Sequence, residues 1–185
     1  MELLKPVQPN LERFVLAMTR DTETARDITA ETILVAFERF ETLRNPQAFL
    51  SFLFTIAVRI HRKQRNRAQR TAPLDQEILP EIIAPDTPPD IAADISALYS
   101  ALQSLPEKQR EAVVLFEITG LRMKEIREIQ GGTLTAVKVR ISRGRKKLAE
   151  VLGVSERALN TGTRTSEENQ SVNTTHEFYS IGIQS

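Results

Sequence analysis

Two runs of basic residues are the most chemically distinctive feature of this sequence. Residues 59–70 hold six basic side chains and no acidic one, and residues 138–147 do the same. Closely spaced cations neutralise the phosphates of a nucleic acid, so each run is a candidate nucleic-acid contact. The alternative is a solvated helix end whose cations complement the helix dipole, although the second run exceeds what that role requires. The basic residues are Arg59, Arg62, Lys63, Arg65, Arg67 and Arg70 in the first run and Lys138, Arg140, Arg143, Arg145, Lys146 and Lys147 in the second.

Residues that could perform covalent or metal chemistry are scarce. The chain has no cysteine and two histidines, His61 and His176. This composition excludes a disulfide scaffold, a thiolate zinc site and a cysteine nucleophile, and it leaves too little for a histidine metal cluster or a histidine-based triad. His61 stands beside Arg62, where a solvated or phosphate-contacting role is expected rather than that of a catalytic base. We therefore expect a protein that is not an enzyme and that carries no cofactor or metal.

The overall composition is that of a folded chain with unevenly distributed charge. It has 185 residues, 41% of them hydrophobic, which suffices for the core of one full domain or two small ones. The net charge is only +1, yet residues 71–98 carry six acidic residues and no basic one directly after the first basic run. No apolar stretch approaches the roughly 18 residues of a membrane span, and the N-terminal residues lack a signal-peptide pattern. We expect a cytoplasmic protein without membrane insertion.

The elements that must position the first basic run are helices. The hydrophobic period predicts helices over residues 10–19, 22–40 and 46–66, and no strand is predicted, so we expect an all-α fold with a small helical domain at residues 1–70. In the third helix, Phe49 and Phe52 are expected in the core. Phe54 is expected at the surface, where it could stack on an unpaired base. In the second helix, the side chains predicted to face inward are Ile33, Ala36, Phe37 and Phe40.

The second helix carries another apolar face that is mixed with acidic residues. A small domain has little interior to cover both faces of one helix, so this face is a candidate protein-docking surface. A helix sandwiched between neighbours, with a solvated acidic edge, is the alternative. The residues of this face are Asp27, Ile28, Glu31, Leu34, Val35 and Glu38.

A composition change separates two helical regions. Residues 71–94 are acidic and contain five of the nine prolines, which predicts a flexible, extended linker. A second domain is predicted over residues 95–155. Residues 156–185 are rich in Thr, Ser, Asn and Glu without a helical or strand period, which predicts a disordered tail.

The second domain is predicted to contain a helix-turn-helix. A short helix over Met123–Gln130 is followed by the glycines Gly131 and Gly132, and Thr133 can cap the next helix. Side chains near the start of such a second helix reach base edges in the major groove, and cations further along meet phosphates. The base-reading side is predicted to hold Thr135, Lys138, Arg140 and Arg143, and the phosphate side Arg145, Lys146 and Lys147.

Four segments together resemble a known family. They are DITAETILVAFERF, NPQAFLSFLFTIAVRI, SLPEKQREAVVLFEITGLRMKEI and TAVKVRISRGRKKL. The chain resembles, from about Leu11 to Leu152, bacterial sigma-70 family factors of the extracytoplasmic function group. The resemblance implies a first domain (region 2) that binds the clamp of core RNA polymerase and melts the minus 10 element. It also implies a second domain (region 4) that binds the polymerase flap and reads the minus 35 element, with promoter DNA and an anti-sigma factor as further candidate partners.

The resemblance also implies roles for individual residues. The turn from Glu41 to Pro46 matches the loop that captures a flipped minus 10 base, and residues 71–94 match the interdomain linker, whose carboxylates could imitate RNA or form a plain spacer. Implied polymerase contacts are Asp27, Ile28, Glu31, Thr32 and Leu34. Candidate minus 10 contacts are Arg44, Asn45, Phe54, Arg59, Arg62 and Lys63. Candidate minus 35 contacts are Thr133, Thr135, Lys138, Arg140, Arg143 and Arg145.

Three positions depart from the family pattern in the helix-turn-helix. Arg127 stands where the family has a small residue, Gly132 where it has an apolar one, and Thr135-Ala136 where it has Gly-Thr. We expect Arg127 to be forced outward and the turn to be loosened. Two alternatives to a promoter-directing subunit stay open at the level of sequence: a conventional helix-turn-helix regulator and, because of these departures, a protein that sequesters polymerase without initiating.

Overall fold

The protein is described by a computed structural model that covers residues 4–19, 21–43, 45, 48–68 and 87–154. Within these ranges the regular secondary structure is entirely helical, which confirms the all-α prediction. A short 3-10 helix, Phe40–Thr42, lies between the second and third α-helices. The α-helices are α1 (Gln8–Thr19), α2 (Thr22–Glu38), α3 (Phe49–Ala68), α4 (Pro89–Gln103), α5 (Glu107–Glu117), α6 (Met123–Gln130) and α7 (Leu134–Leu152).

Local side-chain chemistry explains where several helices begin. The Asp21 carboxylate accepts hydrogen bonds from the backbone N–H groups of Glu23 (3.3 Å) and Thr24 (2.7 Å), which caps α2. Hydrogen bonding to Thr24, with its side chain as the largest cause, lowers the pKa of Asp21 below its usual value. The Thr133 hydroxyl accepts from the Ala136 N–H at 3.1 Å and caps α7, as predicted from the sequence.

Helix α4 begins inside the segment that was predicted to be an extended linker. Its first residue is Pro89, before Asp94, where the predicted linker ends. Proline fits the first turn of a helix because the N–H that it lacks has no intrahelical partner there, and Asp90 favours the positive end of the helix dipole. The linker prediction is therefore wrong for residues 89–94. Residues 69–86 and all residues from 155 onward, which include the predicted tail at residues 156–185, lie outside the described residues.

The core of α1–α3 corrects two sequence predictions. Phe54 is fully buried and meets Phe14 edge-to-face, with ring centroids 5.3 Å apart, so the prediction of a surface aromatic for base stacking is wrong. Phe37, predicted to be a core residue, is 65% exposed. The buried side of α2 consists mainly of small residues, Ala25, Thr29, Thr32 and Ala36, with Ile28. Small side chains allow the neighbouring helices to approach closely, and because α2 packs through this side, the bulky Phe37 lies towards solvent.

The helices α4–α7 bury a second set of aliphatic residues, and α5 packs against α7. A Cβ atom at Gly144 would lie 2.5 Å from the Val113 Cγ2 and 3.4 Å from the Gln109 carbonyl oxygen. Glycine at this position is therefore what lets the α7 backbone lie against α5. The buried side chains here include Leu115, Leu121, Ile126, Val137, Ile141 and Leu148.

The two groups of helices pack against each other. Helix α1 contacts α4 and α5, and α3 contacts α6, so that one cluster of buried hydrophobic residues runs through both groups. The Gln103 side-chain amide donates to the Ala17 carbonyl oxygen at 3.0 Å, which joins the end of α4 to α1. Among the described residues, no helix combines the length and the apolar character needed to cross a membrane.

Candidate nucleic-acid interface

Helix α7 presents a basic outer surface. Its buried side is Val137, Ile141, Gly144 and Leu148, as the sequence period predicted. Thr135, Lys138, Arg143, Lys146 and Lys147 are exposed on the opposite side. Lys147 makes a 3.7 Å surface ion pair with Glu150, and such a pair is weak enough to exchange for a phosphate. The exposed side can therefore approach a polyanion without rearrangement of the helix.

Arg140 does not belong to this free set, contrary to the base-reading prediction. Its Nη1 donates to the Gln130 side-chain oxygen at 2.9 Å and to the Gly131 carbonyl oxygen at 3.3 Å. These contacts tie the second turn of α7 to the end of α6 and to the connecting turn. Arg140 therefore fixes the angle between the two helices in this structure instead of extending towards a base.

Arg145 is likewise held within the protein, so its prediction as a free phosphate contact is wrong for this conformation. Its Nε donates to the Glu117 carboxylate at 2.6 Å, and its guanidinium lies 5.3 Å from the centroid of the Phe116 ring. The side chain is only 16% exposed. Arginine stacks on aromatic faces and pairs with carboxylates through its planar fork, and here both interactions join α7 to α5.

The turn of the helix-turn-helix is built for glycine. Gly131 has φ +74° and Gly132 has φ +90°, and side-chain-bearing residues rarely adopt such angles. Gly132 therefore provides the backbone conformation of the turn and does not merely remove a packing side chain. Arg140 binds the same turn through the Gly131 carbonyl oxygen. Arg127 is exposed, as predicted, and pairs with Glu128 at 3.7 Å.

The basic run of α3 divides between two faces. Arg59 and Lys63 are exposed, as a DNA-contacting role requires. Arg62 instead forms an ion pair with Glu111 of α5 at 2.8 Å, and Arg65 pairs with Glu107 of the same helix. Of the two residues predicted in the preceding loop, Asn45 is exposed, and Arg44 lies outside the described residues.

His61 is buried, which corrects the prediction of a solvated or phosphate-contacting residue. Burial, then the nearby charges of Arg110 and Arg65, lower the pKa of His61 to about 4, with Arg62 acting in the same direction and a backbone hydrogen bond to Met18 opposing them. The imidazole is therefore neutral at physiological pH. Its Nδ1 is buried and makes no hydrogen bond to any part of the chain that the structure describes.

Helix α2 carries an exposed acidic and apolar patch. Asp27 is exposed, Leu34 is 57% exposed and Phe37 is 65% exposed, while Glu31 is half-buried and accepts from the Gln64 amide at 3.3 Å. We call Asp27, Glu31, Leu34 and Phe37 the α2 patch. Sequence reasoning missed Phe37, although it lies three residues after Leu34 and so shares its face.

Two of the residues predicted to contact polymerase lie beneath the α2 patch. Ile28 and Thr32 are both fully buried, on the side of α2 that packs against neighbouring helices. Direct contact with a partner is therefore ruled out for both in this conformation. Their role is to hold α2 against the bundle.

The described ranges were also compared with the requirements of a metal site. They contain no group of three or more His, Asp or Glu side chains placed to hold a metal ion. What the geometry offers is two exposed cationic helix faces and one apolar-acidic patch, the features of an all-helical protein that binds nucleic acid and a protein partner.

Comparison with known families identifies the class. The family model described as "Sigma-70 region 2" matches residues 3–71, and the model described as "Sigma-70, region 4" matches residues 95–148. The RNA polymerase sigma factor CarQ of Myxococcus xanthus is 30% identical over 80% of this chain and 86% of its own length. The ECF RNA polymerase sigma factor SigM of Mycobacterium tuberculosis is 31% identical over 87% and 79%, respectively. The chain therefore belongs to the extracytoplasmic function group of sigma-70 family sigma factors, which are non-enzymatic initiation factors of transcription.

Solved structures agree on the fold. The sigma factor RpoE of Bartonella quintana, in complex with the anti-sigma factor NepR, superimposes with a TM-score of 0.74 at 24% identity, covering 83% of this chain and 96% of that one. CnrH, in complex with the cytosolic domain of CnrY, gives a TM-score of 0.59 at 22% identity, covering 82% and 86%, respectively.

Proposed function

We propose that this sigma factor binds core RNA polymerase through the α2 patch and directs it to promoters through the exposed basic side chains of α3 and α7. The observation that carries the proposal is that one helix in each family region, α3 and α7, exposes several cations. An initiation subunit needs these surfaces and no chemistry of its own. It acts in the cytoplasm, where polymerase and promoter DNA are found.

For the minus 35 element, we assign base reading to Thr135, Lys138 and Arg143, all exposed on α7. Lys146 and Lys147 lie further along the helix and contact phosphates. Arg140 positions α7 relative to α6 through Gln130 and Gly131. Thr133 contributes by capping the helix, which leaves its hydroxyl already engaged with the Ala136 N–H.

For the minus 10 element, the exposed Arg59 and Lys63 of α3 meet the DNA backbone, and the loop that includes Arg44 and Asn45 receives a flipped base. Arg62 joins this surface once it leaves Glu111. We leave Phe54 out of the proposed surface because its side chain is fully buried.

For the polymerase, the α2 patch combines two carboxylates with two exposed apolar side chains. Exposed apolar side chains bordered by charge are typical of docking surfaces, where the apolar part contributes affinity and the charge contributes orientation. Residues 1–70 would then form the polymerase- and minus 10-binding domain and residues 95–155 the minus 35-binding and flap-binding domain. An anti-sigma factor is a further proposed partner, since the sigma factor RpoE in the solved structure above is bound to one.

In vitro transcription from a randomised promoter pool tests the proposal. Core polymerase plus this chain should yield transcripts whose start sites share minus 10 and minus 35 sequences, and core alone should not. A chain that binds such promoters but never copurifies with core polymerase would be a conventional regulator. One that binds core without giving transcripts would be a sequestering protein.

A further inference from the structure

An apolar side chain stands in the middle of the exposed basic face of α7. Val139 is 40% exposed, although valine is a residue that usually lies in a core. With 3.6 residues a turn, it lies about 160° around the helix axis from Val137, which is fully buried. Valine also favours helices less than lysine, arginine or glutamine do. Neither packing within the chain nor helix formation therefore accounts for valine at this position.

The residues around Val139 are those assigned above to promoter DNA. Thr135 lies one turn before it and Arg143 one turn after it, each four residues away, and both are exposed. Lys138 directly precedes it and is exposed as well. Val139 lies in the second turn of α7, the part of a recognition helix that faces base edges. A helix that places Thr135 and Arg143 in the major groove must therefore carry Val139 into the groove between them.

The base edges in the major groove offer one apolar group to such a side chain. Thymine presents its C5-methyl group there, whereas adenine, guanine and cytosine present hydrogen-bond donors and acceptors. An apolar side chain placed against those polar groups would displace their water without replacing its hydrogen bonds, which costs binding free energy. Contact with a methyl group instead removes two apolar surfaces from water together. Val139 thus favours thymine by attraction and disfavours the other bases by desolvation.

We propose that Val139 is a specificity-determining residue that contacts the C5-methyl group of a thymine, so that the minus 35 element recognised by this chain contains a T·A pair opposite the second turn of α7. The proposal rests on the proposed function in assigning α7 to the minus 35 element. It adds a base preference that the neighbouring cations do not supply, since lysine and arginine bind the O6 and N7 atoms of guanine.

Removal of the methyl group from the DNA tests the contact. The probe is a double-stranded promoter fragment that carries the minus 35 sequence enriched by the holoenzyme from the randomised pool. Its minus 35 thymines are replaced one at a time, on either strand, by uracil, which lacks the C5-methyl group and keeps the base pairing of thymine. At one position this change should weaken holoenzyme binding about fourfold, the size expected for loss of one buried methyl group.

Val139→Ala should remove the same contact from the protein side. The variant should bind the thymine promoter about fourfold more weakly than the parent does, and uracil should cause no further loss. Any effect of uracil on the shape of the DNA would persist in the variant, so this comparison isolates the direct contact. Because Val139 is exposed and alanine is the better helix former, the variant should fold, which circular dichroism checks.

The matched control is Val151→Ala. Val151 is 47% exposed on the same helix, and it lies 12 residues beyond Val139, about 18 Å along the axis. Its loss removes the same atoms from an exposed position outside the second turn. The uracil effect should therefore be as large in this variant as in the parent.

A base that carries the methyl group without being thymine provides a rescue. Cytosine at the sensitive position should weaken binding by the parent holoenzyme, and 5-methylcytosine should recover about fourfold of that loss. Val139→Ala should not distinguish cytosine from 5-methylcytosine.

The outcomes separate this proposal from the proposed function. An enriched minus 35 sequence without thymine, uracil without effect at every position, or an equal uracil effect in the parent and in Val139→Ala would overturn the proposal and leave the proposed function intact. If the holoenzyme enriches no minus 35 sequence at all, the proposed reading of that element by α7 is wrong, and the assignment of Val139 is wrong with it.

Discussion

Basic residues that look equivalent in sequence have different roles in the structure. Lys138, Arg143 and Arg59 are exposed, whereas Arg140 and Arg145 make their main contacts inside the protein. The difference depends on whether an acceptor lies within reach on a neighbouring helix, because arginine forms several directed hydrogen bonds at once. Residues of the two kinds should therefore respond differently to mutation.

Lys138→Ala should impair base discrimination, whereas Arg140→Ala should impair stability and overall DNA binding. Loss of Lys138 should cost about 1–3 kcal/mol at a preferred minus 35 site and relax discrimination there, with stability unchanged, because it removes an exposed base contact. Loss of Arg140 should lower stability by about 1 kcal/mol and weaken binding to all sequences, because it frees the turn. Holoenzyme binding to intact and mutated minus 35 sites, with urea unfolding, measures both. Gln130→Ala should reproduce part of the loss of stability seen with Arg140→Ala, because it removes one acceptor of Arg140. The two roles would be contradicted if Lys138→Ala and Arg140→Ala reduced discrimination equally and Gln130→Ala had no effect.

His61 should make the protein acid-sensitive. Its pKa is about 4 when folded and about 6.5 when unfolded, so below pH 6.5 the unfolded chain takes up a proton that the folded chain does not. Stability should fall between about pH 6.5 and pH 4, by roughly 3 kcal/mol in total, and this contribution should level off at lower pH. Urea unfolding of the parent and of His61→Gln, subtracted at each pH, isolates the effect from that of the carboxylates. A pH-independent difference between the two proteins would show that His61 titrates normally in the folded chain.

At the scale of elements, close packing determines which face of each helix remains exposed. Helix α2 buries its small residues and leaves Leu34 and Phe37 in solvent, while α7 uses Gly144 to approach α5. A helix face of small residues lets a neighbouring backbone approach closely. Such a face therefore determines which side of the helix is buried as much as a face of large apolar residues does.

Leu34→Ala with Phe37→Ala should reduce affinity for core polymerase by about ten- to a hundredfold, the range found when exposed apolar anchors are lost from an interface. Stability should change by less than about 0.5 kcal/mol, because both side chains are already exposed. Quantitative pull-down and circular dichroism measure the two effects. Leu98→Ala, at an exposed leucine of α4, is the control. Undiminished binding of the double variant would remove the α2 patch from the polymerase interface.

Gly144→Ala should destabilise the protein by about 1–3 kcal/mol, because the new Cβ would overlap Val113 Cγ2. Urea unfolding measures the loss. Adding Val113→Ala should recover stability relative to the sum of the two single changes, since the overlapping atom is then gone. Ser142→Ala, exposed on the same helix, should be nearly neutral. Simple additivity of the Gly144 and Val113 effects would place the clash elsewhere.

At the scale of the whole molecule, the two helical halves meet through a shared apolar cluster and a polar junction. Salt does not weaken the apolar contacts, whereas it screens the attraction between the partly exposed side chains of Arg65 and Glu107. The contact between the two halves should therefore weaken as ionic strength rises.

Raising the salt concentration from about 0.01 M to about 0.5 M should increase the radius of gyration of the free chain, measured by small-angle X-ray scattering, because screening shortens the reach of charge interactions from about 30 Å to a few ångströms. Glu107→Gln should start more open and respond less to salt. The Asp90→Asn/Asp94→Asn variant should behave like the parent. A salt-independent radius in the parent would indicate that apolar packing alone holds the halves together.

The sequence by itself determined the helices apart from the start of α4, the glycine turn, the Thr133 cap and the family, because these depend on periodicity, backbone freedom and motifs within short stretches of chain. The exposure of Lys138, Arg143, Arg59 and Lys63 also agrees with sequence reasoning.

Only the tertiary structure decided the burial of Phe54, Ile28 and His61, the exposure of Phe37 and the engagement of Arg62 with Glu111. The partners in these contacts lie far apart along the chain; Arg62 and Glu111 belong to helices on opposite sides of the acidic proline-rich segment. Periodicity identifies a helix face but does not say which neighbour covers it. Whether a cation is free or paired depends on an acceptor that only packing brings within reach.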